Sequence, residues 1–112
     1  MNEFVKDDDA QKALDFIRFK ADEAAEAESH LNFLIDYKKV IIANEMQKHI
    51  DKPLAAQERE AYASKAYLEN IKGIEAARER HVFFSWKKLA AASTLDVWRS
   101  LNATKRNEGK MQ

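Results

Sequence analysis

The chain has no cysteine, one proline and two glycines among 112 residues, and each shortage removes a class of protein. Without cysteine there is no disulfide framework and no thiolate to bind a metal or attack a substrate. Two glycines cannot build a glycine-rich phosphate loop, and no H-E-x-x-H zinc motif occurs. No apolar run approaches the roughly 18 residues of a membrane span, so no membrane partner is expected. The opening stretch MNEFVKDDDAQK is acidic and lacks the apolar centre of a secretory signal. These absences predict a soluble, cytoplasmic protein of one domain. Net charge is also missing, since 19 basic side chains balance 19 acidic ones.

The rest of the composition is helix-forming. Hydrophobic residues make up 46% of the chain and charged ones 34%, a breaker-poor mixture typical of long helices. Residues 10–50 contain neither Gly nor Pro, and Asp7, Asp8 and Asp9 precede them as candidate caps that also suit the helix dipole. Leu14, Ile17, Ala21, Ala24, Leu31, Ile35 and Ile42 recur at three- and four-residue steps, interrupted by Glu28 and Lys38. That predicts a coiled-coil-like packing seam. HIDKPL then breaks the pattern, with Asp51 as a candidate cap and Pro53 suited to a first helical turn. A turn this short sets its flanking helices antiparallel.

The second helix is expected over 54–103, with Leu68, Ile71, Ile74, Val82, Trp86, Leu89, Val97 and Leu101 as its apolar stripe. Gly73 marks a bend or a close crossing. Ser93, Thr94 and Asp96 resemble a capping box, so a separate third helix over 94–103 is the alternative. The expected architecture is therefore all-α: two long antiparallel helices in a hairpin, with or without a short third helix. Residues 1–9 form an acidic lead-in, 10–103 the hairpin with its turn near 50–54, and 104–112 a flexible basic tail.

The first helix carries more apolar surface than one seam uses. Phe16, Phe19, Leu34, Tyr37 and Ile41 form a second arc about 140° from the first. Exposed patches of that size are uncommon on monomers, which predicts either a homodimer closing into a four-helix bundle or a protein partner.

Signs of catalysis are weak. Glu26 and His30, like Glu45 and His49, stand four apart, whereas di-iron bundles use E-x-x-H. Ser29 adjoins His30, but adjacent helical residues point apart. The expectation is a non-enzyme without metal or cofactor. Charge is unevenly spread: residues 1–30 hold four basic and nine acidic side chains, residues 81–112 six and two. An antiparallel hairpin would lay the acidic start beside the basic end. Alternatively Lys87, Lys88, Arg99, Lys105, Arg106 and Lys110 contact DNA, with Trp86 or Trp98 stacking on a base.

The stretch LDVWRSLNATKRN, with the upstream AAQEREAYASKAYLENIKGIEAA, resembles a group of small phage- and prophage-encoded helical proteins. The matching residues are Glu58, Arg59, Ala61, Ala63, Ser64 and Tyr67, then Trp98, Arg99, Ser100, Asn102, Ala103 and Arg106. The resemblance covers residues 10–106 and implies no catalytic residue. It implies an accessory protein in a bacterial host's cytoplasm, associated with DNA recombination or replication. Its partner would be a phage or host protein, with DNA contact through the basic end. Two other roles compatible with the sequence are an inhibitor docking on a host enzyme or defence complex, and a component or chaperone of virion assembly.

Overall fold

The structure, a computed structural model, describes residues 4–111, with the backbone alone at 110 and 111. It is all-α, a helical hairpin of three helices: α1 (Asp7–Gln47), α2 (Leu54–Tyr62) and α3 (Lys65–Met111). Among the described residues no helix is long and apolar enough to cross a membrane.

Local chemistry sets the helix ends. The Lys6 amide donates to Asp9 Oδ2 at 3.0 Å and the Lys6 carbonyl accepts from the Ala10 amide, so Asp9 satisfies a donor that the helix leaves open. At the far end of α1, i→i−3 bonds from Lys48 to Glu45 and from His49 to Met46 tighten the chain into the turn. Asp51 does not cap α2. Pro53 holds the N-cap position of that helix without a side-chain cap bond, and its carbonyl accepts from the Ala56 and Gln57 amides.

The third helix is not where the sequence suggests. Residues 94–103 lie inside α3, where the Thr94 hydroxyl donates to the Ala90 carbonyl one turn back at 2.9 Å and so does not break the helix. The interruption falls instead at Ala63–Ser64. Ser64 Oγ accepts from the Tyr67 amide at 3.2 Å and donates to the Ala61 carbonyl at 2.6 Å, capping α3 while closing α2. Residues 104–111, expected as a flexible tail, are the last turns of α3. Lys105 and Arg106 near a helix C-terminus are favourable to its dipole.

The described residues form two compact units. In the unit of residues 25–82, Leu31, Ile74 and Ala77 form a buried cluster flanked by Leu34 and Ile35. Leu31 is opposite Ile74, and Leu34 is opposite Asn70 and Gly73, so the residue number rises on one helix as it falls on the other. The pairing is antiparallel. Asn70 is 94% buried; its Nδ2 donates to the Leu34 carbonyl at 3.3 Å while its Oδ1 has no partner. A slide of one turn would strand this amide in an apolar seam, which ties the register of α3 to α1. Ala61 and Ala27 are almost wholly enclosed.

In the unit of residues up to 24 and from 83 on, Ala10, Ala13, Phe84 and Ala91 are buried. Phe16 stacks on Phe84 with centroids 6.5 Å apart, and Trp98 reaches Asp7, again an antiparallel order.

The expected seam of α1 holds in part. Leu31 is buried, Ile35 packs beside it, and Ala24 and Ile42 are half-buried, whereas Leu14, Ile17 and Ala21 are exposed and Ala10, Ala13 and Ala27 are buried in their place. Of the expected free face, Leu34 packs on the core, and Phe16 and Ile41 are half-buried. Only Phe19 and Tyr37 remain exposed. Small side chains let two backbones approach, and larger ones then splay to both flanks.

Gly73 marks no such constraint. A methyl group there would meet Leu34 Cδ1 at 3.6 Å, an ordinary contact. Gly73→Ala is expected to raise unfolding stability by about 1 kcal/mol through helix propensity, read as a higher urea midpoint; a lower midpoint would show that the helices leave no room for the methyl.

Candidate binding surfaces

In the unit that holds both chain ends, α3 carries two different surfaces. At about 100° per residue, Lys88, Arg99 and Arg106 align along one side of the helix within about 20°. Lys87 and Lys105 share a second line about 100° away. Phe84, Ala91 and Trp98 lie between these lines and face α1, so the basic residues flank the packing seam.

A shallow concavity near the end of α3 is lined by Trp98, Arg99, Ser100, Asn102, Lys105 and Arg106. Three of the predicted contact residues, Arg99, Lys105 and Arg106, therefore meet there. Lys87 and Lys88 do not. Lys87 lies 5.8 Å over the Phe83 ring, and the side chain of Lys110 is outside the described residues. Arg99 pairs with Asp96 one turn earlier on α3, not with Asp15 or Asp22 as a hairpin of opposite charges suggests. Both partners are exposed, so the pair orients the guanidinium and adds little stability. Trp98 is half-buried, and its Nε1 donates to Asp7 Oδ1 at 2.8 Å.

The acidic start of the chain and its basic end share this unit. Residues 1–24 hold four basic and seven acidic side chains, and residues 83–112 hold six and two. The unit is thus within one charge of neutral, and the positive field around Arg99 and Arg106 is local.

The second surface is apolar. Phe83, Trp86, Leu89 and Val97 of α3 are 53%, 67%, 55% and 42% exposed. Their stripe is centred about 145° around the helix from Phe84 and Ala91, so it points away from the seam. The three- and four-residue periodicity places Trp86, Leu89 and Val97 in the interior, and the structure corrects this. A seven-residue spacing carries the true signal: Asn70, Ala77, Phe84, Ala91 and Trp98 fall on one line, and the first four are buried. That line is inconspicuous because it mixes an amide, small alanines and two aromatics.

In the other unit, Phe33, Tyr37 and Val40 are exposed along one face of α1, with the Phe33 and Tyr37 rings stacked at 5.5 Å. Beside them Glu26, Ser29, His30, Phe33 and Arg80 line a cleft. Among the described residues no three histidine or carboxylate side chains gather as a metal site requires.

The residues carrying the phage-protein resemblance have structural positions. Ala61 is fully buried, Ser64 caps α3, and Tyr67 meets Tyr62 edge to face at 5.1 Å. Trp98 ties α3 to the first turn of α1. The two stretches mark the helix break and the pairing of α3 with the start of α1.

No protein-family model, curated protein or solved structure matches the chain.

Trp98→Phe keeps an aromatic ring and removes the donor to Asp7. It is expected to lower stability by about 1 kcal/mol in thermal or urea unfolding; an unchanged curve would mean that the bond contributes nothing in water.

Proposed function

We propose that this is a non-enzymatic accessory protein that acts by protein–protein contact. The observation that carries the reading is the apolar stripe Phe83, Trp86, Leu89 and Val97, exposed on the side of α3 away from its own packing seam. Contiguous apolar surface on a small chain is costly in water unless something covers it. A helix already held in shape loses little entropy on docking. The resemblance to phage-encoded helical proteins supports a setting in the cytoplasm of a bacterial host and partners among phage or host proteins.

The test is a chain carrying Trp86→Glu and Leu89→Lys. Both positions are exposed, so helicity and melting temperature are expected to stay near those of the parent. Complexes formed by the parent, read as mass in solution and by capture from a bacterial host lysate, are expected to be lost. Complexes that survive both substitutions would overturn the reading.

A second reading, assistance to DNA recombination or replication by direct contact, is favoured by the meeting of Arg99, Lys105 and Arg106 at one concavity. It predicts DNA binding that weakens steeply between about 50 and 200 mM salt, by fluorescence anisotropy. Arg99→Ala with Arg106→Ala is expected to reduce the salt slope by roughly two phosphate contacts. Absence of binding at the lower salt would exclude DNA contact and leave the protein-binding reading standing.

A further inference from the structure

We infer that the occupant of the α3 stripe is a second copy of this chain, docked antiparallel about a twofold axis between Ala90 and Ser93. The inference rests on the reading of the stripe as a protein-contact surface, and three features select the occupant.

Size is the first. At the exposures of Phe83, Trp86, Leu89 and Val97, the four side chains leave roughly 400–500 Å² of apolar area open, given the 150–250 Å² that an aromatic side chain buries. A stable interface takes about 800 Å² from each partner, a little over half of it apolar. The stripe has the size of that apolar part, and a twofold dimer uses it twice.

Charge is the second. Residues beside a twofold axis meet their own copies, so a charged group there repels itself. The stripe's positions, Phe83, Trp86, Leu89, Ala90, Ser93, Val97 and Ser100, are all uncharged. Asp96, at the margin, is already paired with Arg99 of its own helix. Lys88 projects elsewhere on the helix, and Lys87, over the Phe83 ring, stands at the edge of the stripe.

Shape is the third. Small residues, Ala90 and Ser93, occupy the middle, with Trp86 on one side and Val97 on the other. Antiparallel pairing about the point between Ala90 and Ser93 sets Ala90 across from Ser93 of the second copy. The same pairing sets Trp86 across from its Val97. The centre then permits close approach, while the bulky side chains close the ends. A parallel pairing would instead stack Trp86 on Trp86.

The experiment uses the full chain. Light scattering after size exclusion, from about 1 to about 100 μM, is expected to give twice the 12.9 kDa of the chain. Leu89→Lys alone is expected to weaken association at least tenfold with unchanged far-UV circular dichroism. Because the chain has no cysteine, single thiols report the arrangement. Ser93→Cys offsets the two thiols by about 4.5 Å along the paired helices, and Ser100→Cys by about 25 Å. A short thiol cross-linker is expected to join the first variant and not the second.

Three results overturn the inference: the mass of one chain at every concentration, a dimer indifferent to Leu89→Lys, or cross-linking of Ser100→Cys as readily as of Ser93→Cys. A monomer that still loses a captured partner through Trp86→Glu and Leu89→Lys would overturn the second copy alone. Indifference of every complex to those substitutions would overturn the protein-contact reading itself.

Discussion

The burial of alanines on α1 and α3, within each unit, is the constraint on which the remaining features depend. Ala10 and Ala13 in one unit and Ala27 and Ala77 in the other are buried, Ala77 in one cluster with Leu31 and Ile74. An alanine contact contributes little transfer energy by itself, but it brings backbones near enough for flanking side chains to pack. Leu31, Ile74 and Phe84 supply the larger burial. The same closeness leaves no space for every aromatic side chain. Trp86, Phe83 and Phe33 consequently stand outside.

A thin seam needs its register specified, because one alanine resembles the next. Two polar ties serve this within their own units. Asn70 donates to the Leu34 carbonyl, and Trp98 donates to Asp7. Neither is a large energy by itself, since a hydrogen bond nets about 1 kcal/mol against water. Their value is specificity. A slipped pairing would leave the Asn70 amide without its acceptor and separate the indole from its carboxylate. The two residues are seven-residue multiples apart on α3, so both belong to the face that the alanines define.

The surfaces proposed for binding are the sides of α3 that this face leaves over. The stripe of Trp86 and Leu89 is outward because Phe84 and Ala91 are inward, and the basic residues flank the seam because Trp98 occupies its middle. The near neutrality of the unit comes from the same antiparallel order, which sets an acidic chain start beside a basic chain end. That arrangement weakens a long-range attraction for nucleic acid and gives the protein-contact reading the stronger physical basis.

Helix content, the breaker at Pro53 and the antiparallel order were legible in the sequence because they depend on local rules. Breaker residues interrupt helices, capping groups satisfy free amides, and short turns reverse direction. The helix break at Ser64 is also locally encoded, in a serine whose hydroxyl meets the amide three residues on. The Ser-Thr pair at 93 and 94 has the more conspicuous capping pattern, yet the helix runs through it. Tertiary structure decided between the apolar residues of each stripe: Leu31 and Ile74 are inside, Leu14 and Trp86 are not. In a single helix the large residues mark the most hydrophobic face, but in a pair the closest approach selects the smallest side chains. Ala27 is therefore buried and Trp86 exposed, because burial is a property of two surfaces meeting, and one helix carries no record of how near its partner comes.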